Sequence, residues 1–495
     1  MPESAQPGYD PGEDHERCLA VYRGLRDAVA ACAPLAAGHR NLAALLFPRL
    51  MALVTGLVLR ERERGGPGPP LAPHGAFPAL GWADPARGEA PRVEHAPPAR
   101  PRAVARLAAR LATLVARGRR VAVYNPGFPI GALARALVRM GLAPTLPHVG
   151  KLAMPSAPAQ LEVLGAALAG LLDDLDLGRY RATLRTLLSD YCAAYVDAAA
   201  DPGAPPAWDL VLCGTLQKVP ARVLAARARA HGRPVVVVSH GEGDQLIADE
   251  PRIGYGEATY ATELVGYGPA GAAALARGAY THSLFPNEAP RYVASRSTVC
   301  ARLFDPDAPI PSLAEAGGRV MYVPTTYVGP LRYGPFHSLP DADYARWQRV
   351  VHALYPQALY KRHPKLLARE TPFARVQGGE LAACLDRADV FVFDVVTTAF
   401  HIAAATDKPI VYFELGLRNL HGEARARVRE RCVVVDARGG WSVDRLRAEV
   451  ARQARKPLAN AFTPAYSLGG PGEARIRTVA RTAREALRTT GRASA

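Results

Sequence analysis

The sequence has few of the residues that build disulfide-bonded or metal-stapled folds. Its 495 residues include only seven cysteines, and these occur singly, at positions 18, 32, 192, 213, 300, 384 and 432. An odd, dispersed set without a CxxC pair argues against a disulfide framework and against a zinc site. We therefore expect a protein of a reducing cytoplasm that binds no metal.

The chain also lacks a long apolar run. Its most apolar segment, residues 43–59, is short for a membrane span and is interrupted by Pro48 and Arg49. A packed core helix is the favoured interpretation, and a helix lying on a membrane surface is the alternative. The first 17 residues are polar and acidic, so we expect no signal peptide.

Acidic residues are outnumbered, which gives a formal net charge of +16. This surplus predicts anionic partners: a phosphorylated substrate, a polyanionic glycan or peripheral contact with an anionic inner membrane. No RNA- or DNA-binding motif accompanies the charge, so we expect no nucleic acid partner. The length allows two or three domains with ample core.

Apolar periodicity and Pro/Gly-rich stretches divide the chain into six predicted parts. They are a disordered segment (1–16), a helical segment (17–64), a linker (65–102), a first Rossmann-like domain (103–315), a second Rossmann-like domain (316–465) and a C-terminal helix with tail (466–495). The predicted fold class is therefore α/β, with two Rossmann-like domains facing a cleft and an N-terminal helical extension.

The most informative stretch is residues 388–416, which predicts a strand, a polar turn, a helix and a second strand. Asp394 follows the first strand, and Thr397 and Thr398 stand where the helix begins. Ligands of doubly wound sheets bind at the carboxyl ends of strands, near free N–H groups of helix N-termini. The two hydroxyls are candidate phosphate ligands, although Thr397 as a plain N-cap is equally compatible with the sequence.

A second basic segment strengthens the phosphate hypothesis. Residues 358–365 predict a short strand, and Lys361, Arg362, His363 and Lys365 cluster at its exit. Only six lysines occur among the 61 basic residues, so two within five positions stand out. The cluster suits a diphosphate or phosphodiester, and a solvated charge run is the alternative.

The first half of the chain carries a histidine at a comparable place. A predicted strand at 234–238 is followed by His240, Gly241, Glu242 and Asp244. An imidazole titrates near neutrality and a neighbouring carboxylate can orient it, which suits a general base. A loop histidine without chemical function is the alternative interpretation.

Two further segments suggest contacts to an acceptor. The turn with Asn125 and Gly127 follows a predicted strand at 120–124, and it resembles a phosphate loop only loosely. The segment 249–268, which contains Arg252 and Tyr255, is rich in glycine, tyrosine and charge. Such a surface can stack on sugars, and an irregular loop is the alternative.

The order of these motifs resembles that of GT-B transferases of bacterial surface-polysaccharide assembly. It is similar to sialyl- and polysialyltransferases, capsular Kdo transferases and CDP-glycerol glycerophosphotransferases, over roughly residues 235–415. The motifs that carry the resemblance are His240-Gly241, His363-Pro364 and Asp394-x-x-Thr397-Thr398. The resemblance implies a metal-independent glycosyltransferase without a cofactor, whose donor sugar is linked to a nucleotide, with CMP or CDP favoured.

The resemblance also implies residue roles. His363 would contact the donor phosphate together with the two threonines, while His240, Glu242 or Asp244 would deprotonate the acceptor hydroxyl on a glycan or lipid-linked acceptor. The remaining donor-side residues are Lys361, Arg362, Asp394, Thr325 and Glu414, the last where related enzymes place a ribose-binding acid; the acceptor side comprises Asn125, Gly127, Arg252 and Tyr255. Two alternatives stay open: a UDP- or GDP-sugar transferase or epimerase on the same fold, and a non-catalytic protein that binds anionic glycan or membrane surface.

Overall fold

A computed structural model of the chain describes most of its residues. The described ranges are 11–64, 119–127, 129–201, 205–241, 243–248, 251–278, 282–285, 287–324, 341–362, 371–469 and 474–493. The predicted linker 65–102 and the opening of the predicted first domain, 103–118, lie outside them.

The first half of the chain forms a six-stranded parallel sheet. Its strands run in the order β2-β1-β5-β6-β7-β8. Their bounds are Arg120–Tyr124 (β1), Ala143–Thr145 (β2), Leu210–Cys213 (β5), Val235–Val238 (β6), Glu263–Val265 (β7) and Arg291–Val293 (β8), and a separate two-stranded sheet joins Leu152–Ala153 (β3) to Val196–Asp197 (β4). The four valines of β6 are at most 3% exposed, as expected for a strand covered on both faces.

Helices cover this sheet and precede it. Their bounds are Pro11–Cys32 (α1), Leu42–Arg64 (α2), Ile130–Arg139 (α3), Ala157–Asp174 (α4), Arg181–Tyr195 (α5), Val219–Ala230 (α6), Pro269–Arg277 (α7) and Cys300–Leu303 (α8). α1 and α2 pack against each other, and their apolar side chains join the core of the first domain, where Leu45 and Phe47 are fully buried. The apolar segment 43–59 is thus part of the protein core, as its first interpretation predicts.

The second half repeats the same winding. Its parallel strands run in the order β11-β10-β9-β12-β13-β14. The strands are Val320–Val323 (β9), Leu359–Lys361 (β10), Arg375–Gln377 (β11), Val390–Phe393 (β12), Ile410–Glu414 (β13) and Val433–Asp436 (β14), and the helices are Asp341–Leu354 (α9), Thr398–Ala404 (α10), Gly422–Arg431 (α11), Val443–Arg452 (α12), Phe462–Tyr466 (α13) and Arg475–Ala493 (α14).

The second sheet has the 3-2-1-4-5-6 strand order of a Rossmann fold, and the first has the related order 2-1-3-4-5-6; each order reverses next to the first strand of its sheet. This confirms the predicted α/β class with two Rossmann-like domains and N-terminal helices. The last helix, α14, returns to the first domain and packs on α3 and on β5, β6 and β7. Its buried face repeats at helical spacing through Val479, Ala480, Ala483 and Ala486.

The two domains touch where their strands end. Ile247 forms an antiparallel bridge with Leu420. The Ala248 N–H donates to the Asn419 carbonyl at 2.8 Å, and the His421 N–H donates to the Leu246 carbonyl at 3.0 Å. These contacts join the loop after β6 to the loop after β13, so the carboxyl ends of both sheets border one crevice.

Three local predictions were wrong. Residues 11–16 belong to α1 and are not a disordered tail. Residues 380–387, whose sequence pattern predicts a helix, form instead a pair of 3₁₀ turns, Leu381–Ala383 and Leu385–Arg387. The segment at 249–268 contains β7 where only an irregular surface was expected.

Candidate functional site

The loops that follow β6 and β12 meet across the crevice, and two glycines make the approach possible. A Cβ atom on Gly243 would lie 2.9 Å from the Val396 carbonyl oxygen and 3.0 Å from the Thr397 Cα. A Cβ atom on Gly241 would lie 3.0 Å from the Thr398 hydroxyl. A Cβ atom closer than 3.0 Å to backbone atoms forces one of them to shift, so Gly243 lets the His-Gly loop contact the Thr-Thr loop directly. Gly241 leaves room for the Thr398 hydroxyl.

His240 lies on this contact at the carboxyl end of β6. Its side chain is exposed, whereas the neighbouring Ser239 and Gly241 are buried. Its backbone N–H donates to Oε1 of Glu257 at 3.0 Å. The structure therefore places His240 on the loop that borders the crevice, and the buried Glu257 carboxylate holds its backbone.

Glu257 is the main residue that the sequence did not reveal. It lies on a π-helical turn, Gly254–Ala258, and is 1% exposed. Burial, followed by the nearby charge of Asp244, raises the pKa of Glu257 to about 7, although hydrogen bonds from His240 and Ser239 oppose the rise. Its Oε2 atom is buried without a hydrogen-bond partner among the described residues. Inserted π-turns are frequent at functional sites, which fits this position.

Asp244 is held between two arginines from different domains. The Arg252 guanidinium binds its carboxylate from the first domain. Arg418, from the second domain, lies 3.6 Å from the same oxygen and donates to the Val396 carbonyl at 3.4 Å. The prediction of Arg252 as an acceptor ligand needs correction, because this side chain is buried and neutralises Asp244. Asp244 itself is ion-paired and is not a free base.

Thr397 and Thr398 occupy the start of α10, as predicted. Thr397 is the N-cap residue with an extended backbone, φ −135° and ψ −178°, but its hydroxyl makes no capping hydrogen bond. Thr397 is half-buried and Thr398 is exposed. Thr397 therefore holds the N-cap position without a side-chain capping bond. The Thr398 hydroxyl lies beside Gly241, and the Thr397 backbone lies beside Gly243.

Asp394 is not a ligand of the crevice, contrary to the prediction. It is 1% exposed, and its Oδ2 accepts hydrogen bonds from the Tyr322 and Tyr344 hydroxyls at 2.5 and 3.1 Å. The Trp347 Nε1–H donates to the same oxygen at 3.1 Å. These three hydrogen bonds to one carboxylate oxygen fix β12 to β9 and α9.

Lys361 at the exit of β10 also differs from the prediction. It is 4% exposed, and its ammonium donates to the carbonyls of Arg362 at 3.1 Å and Gly379 at 2.5 Å. These two hydrogen bonds hold the turn after β11. Arg362 follows it and is half-buried. His363, Thr325 and Glu242 lie outside the described residues, so their roles stay predictions.

Tyr255 does not form a sugar-stacking surface. It is 4% exposed, and its ring lies 5.3 Å from that of Phe47 and 6.4 Å from that of Tyr22. The N-terminal helices cover it, which the local sequence could not indicate.

Asn125 and Gly127 are exposed in the turn after β1, at the same sheet edge as His240. Their acceptor role stays a prediction.

Glu414 ends β13 and is 5% exposed. Its Oε1 lies 3.7 Å from the Arg425 guanidinium. It lines a cavity of about 620 Å³ beside the edge strand β14, together with five basic residues, namely Arg429, Arg438, Arg452, Arg455 and Lys456. Contact with a ribose remains a prediction for this carboxylate.

One more arginine supports the histidine loop. Arg475, the first residue of α14, is 3% exposed and donates to the Ser239 carbonyl at 3.0 Å. Its guanidinium also lies over the Tyr267 ring, 3.3 Å from the centroid. The C-terminal helix thus fixes the backbone next to His240, a role that spacing along the sequence could not indicate.

Comparison with known proteins gives only a distant structural likeness. No protein-family model matches the chain, and no curated protein matches it. The glycotransferase of kitacinnamycin is 18% identical over 76% of this chain and 99% of its own, with a TM-score of 0.29. The glycosyltransferase SnogD from Streptomyces nogalater is 16% identical over 76% and 99%, with a TM-score of 0.30, and a glycosyltransferase from Rickettsia africae ESF-5 is 11% identical over 76% and 94%, with a TM-score of 0.32. Likeness at this level does not bear on chemistry.

Within the described residues, no helix is long and apolar enough to cross a membrane.

Proposed function

We propose that the protein is a glycosyltransferase that moves a sugar from a nucleotide-linked donor to a hydroxyl of a glycan, in the assembly of a bacterial surface polysaccharide. The observation that carries the proposal is the contact between His240-Gly241 and Thr397-Thr398, each at the carboxyl end of a strand in one of two Rossmann-like sheets. Strand ends of such sheets are where nucleotides and their phosphates bind.

The second domain supplies the groups suited to a donor phosphate. The hydroxyl of Thr398 and the half-buried Thr397 lie at the start of α10, where backbone N–H groups are not used within the helix. As the glycosidic bond to the donor breaks, negative charge grows on the leaving phosphate, and oriented donors stabilise it. The motif resemblance adds His363 to this set.

The first domain supplies the base. His240 is exposed beside the same contact, and a neutral imidazole can accept the proton of an attacking hydroxyl. Glu257 and Arg475 hold the loop from two sides through the His240 N–H and the Ser239 carbonyl. General bases contribute about 10²- to 10⁴-fold to turnover, so His240→Ala should lower kcat by at least about 100-fold.

The donor nucleotide follows from the motif resemblance, which favours CMP or CDP. A ligand that binds only the folded state stabilises it by about 2.7 kcal/mol at 100 times its Kd. Thermal melting with CMP, CDP, UDP and GDP should therefore show the largest shift with a cytidine nucleotide. A larger shift with UDP or GDP would transfer the proposal to that donor class.

A double variant tests the phosphate site. Thr397→Val with Thr398→Val keeps side-chain shape but removes both hydroxyls, and it should abolish most of the nucleotide-induced melting shift. Thr186→Val, on an exposed face of α5, is the matched control. Full nucleotide binding by the double variant would refute the assignment of this loop, and absence of any nucleotide shift in the wild type would refute the proposed function.

A further inference from the structure

The N-terminal helical pair, α1 with α2, forms an extra layer inside the first domain. α2 packs on α1, α4, α6 and the π-turn Gly254–Ala258. Residues 42–58 of α2 are all buried except the half-buried Ala52, so neighbours cover this helix on every side. Residues 219–226 of α6 are likewise all buried, because the sheet covers one face of α6 and the helical pair covers the other. The helical pair is therefore built into the domain that carries His240.

Arg222 joins the helical pair to the π-turn. It lies on the first turn of α6 and is fully buried. Its guanidinium donates to the Tyr255 carbonyl at 2.6 Å and to the Leu216 carbonyl at 3.3 Å. It also donates to the Ala44 carbonyl of α2. A guanidinium is very rarely buried this completely, since its N–H groups then need partners inside the protein. Here the partners are backbone carbonyls of three separate segments, which Arg222 holds together.

Three aromatic rings form a second link between the same elements. Phe47 of α2 is fully buried, and its ring centroid lies 5.3 Å from that of Tyr255 in the π-turn. The ring of Tyr22, from α1, lies 5.8 Å from that of Phe47 and 6.4 Å from that of Tyr255. Each helix of the pair thus places one ring against the π-turn, at distances where aromatic pairs attract each other.

The π-turn in turn holds the loop after β6. Glu257 lies two positions after Tyr255 in this turn, and its Oε1 accepts the His240 N–H at 3.0 Å. A π-turn carries one more residue than an α-helical turn, so the direction of Glu257 depends on the turn being kept. A continuous set of contacts therefore runs from the helical pair through Tyr255 and Glu257 to the backbone of His240.

We infer that the N-terminal helical pair positions the loop that carries His240, and that Arg222 and Phe47 transmit this effect through the π-turn. Both side chains are fully buried, so they are positioning residues and do not contact a substrate. The order of the loop is a property of the fold. Its consequence for catalysis, that the helical pair sets the place of the general base, rests on the proposed function.

Hydrogen–deuterium exchange of the full-length protein tests the coupling without a substrate. Arg222→Met removes the hydrogen bonds to three carbonyls, and Phe47→Leu removes the ring between the helices and Tyr255. In each variant, the peptide that contains His240 should exchange at least about tenfold faster than in the wild type, while peptides of β12 and β13 should keep their rates. Melting temperature verifies folding, and Phe47→Leu decides the test if Arg222→Met does not fold.

Leu57→Ala is the control for general loosening of the helical pair. Leu57 is buried in the same helix, about 15 Å further along its axis than Phe47, and its truncation should leave the exchange of the His240 peptide as in the wild type. Glu257→Leu removes the acceptor of the His240 N–H and should accelerate exchange as Arg222→Met does. Glu257→Gln keeps an oxygen at that place and should exchange no faster than the wild type.

Turnover tests the consequence for catalysis. In Arg222→Met and Phe47→Leu, kcat should fall at least about tenfold, whereas nucleotide affinity should stay within about twofold because the donor site belongs to the second domain. Wild-type exchange in both variants, or an equal rise with Leu57→Ala, would overturn the inference. Fast exchange with unchanged kcat would refute the role in catalysis. A wild type that transfers no sugar would refute the proposed function, and the exchange rates would still decide the coupling.

Discussion

At the scale of single residues, two buried side chains stand out, because burial shifts the pKa of each. Glu257 and His401 are 1% and 0% exposed. Burial disfavours the charged form of each, so the pKa of the carboxyl rises and that of the imidazole falls to about 3. Each shift makes the free energy of unfolding depend on pH, in opposite directions.

Glu257→Gln should stabilise the protein at pH 8 and have little effect at pH 4. The folded pKa of about 7 lies above the ordinary 4.5, so the stability that the neutral carboxyl provides is present below pH 4.5 and lost as pH rises through 7. A shift of this size corresponds to about 3 kcal/mol. Urea unfolding at both pH values measures the difference, with Glu162→Gln on the exposed face of α4 as control. A pH-independent difference would show that the carboxyl titrates normally.

His401 should destabilise the protein in acid. Its Nδ1 lies 2.8 Å from the Ser467 hydroxyl, and the neutral ring is stable in the fold. The folded pKa of about 3 lies below the ordinary 6.5, so this stability is present above pH 6.5 and is lost as pH falls toward 3. By pH 5 the loss relative to pH 7.5 should be about 2 kcal/mol.

Replacing His401 by a side chain that does not titrate tests this depressed pKa. His401→Gln should lower stability at pH 7.5 through lost packing, and most of that deficit should vanish by pH 5. His282→Gln, at an exposed position, is the control. An equal deficit at both pH values would contradict a buried, depressed histidine.

At the scale of elements, the close approach of two loops depends on Gly243. Gly243→Ala places a methyl group 2.9 Å from the Val396 carbonyl oxygen, so one loop must move. We expect at least a tenfold loss of nucleotide affinity with the fold retained, measured by titration and circular dichroism. Gly170→Ala in α4, where a Cβ meets nothing within 4 Å, should instead stabilise by about 0.5–1 kcal/mol. Unchanged nucleotide affinity in Gly243→Ala would separate this contact from the donor site.

The elements best predicted from the sequence are those whose signal is local. Apolar runs mark β6, β12 and β13, and helical periodicity after a capping aspartate predicts α9, Asp341–Leu354. The last two strands of the first sheet, β7 and β8, were not predicted because the charged residues Glu263 and Arg291 open them. Only the fold brings these two side chains into an ion pair at 2.7 Å.

The candidate site divides in the same way. His240, Thr397 and Thr398 stand in the loops that follow β6 and β12, where the topology fixes their place, and the structure brings these two loops into contact. Glu257 depends on a π-turn that the buried Arg222 supports by donating to the Tyr255 carbonyl at 2.6 Å. That arginine also binds the Ala44 carbonyl in the N-terminal helices. No spacing along the chain encodes such long-range contacts.

At the scale of the whole molecule, the two domains share the ion cluster of Asp244, Arg252 and Arg418. The Arg418 side chain is 4% exposed and the Asp244 side chain 10%, so water screens this link weakly. Removing one partner of a buried ion pair is costly, because the remaining charge has lost its hydration and has no counter-charge. The cluster therefore couples domain orientation to folding stability in a way that surface pairs do not.

Arg418→Gln should lower the free energy of unfolding by about 3 kcal/mol, because it leaves Asp244 with one partner and the Val396 carbonyl with a weaker donor. Arg438→Gln breaks a pair with Asp436 whose side chains are about half exposed, and it should cost less than about 1 kcal/mol. In a double-mutant cycle, Asp244→Asn with Arg418→Gln should cost clearly less than the sum of the two single changes. Additive losses in urea unfolding would show that Asp244 and Arg418 do not interact, and that the crevice is held by the Ile247–Leu420 bridge and its neighbouring backbone bonds alone.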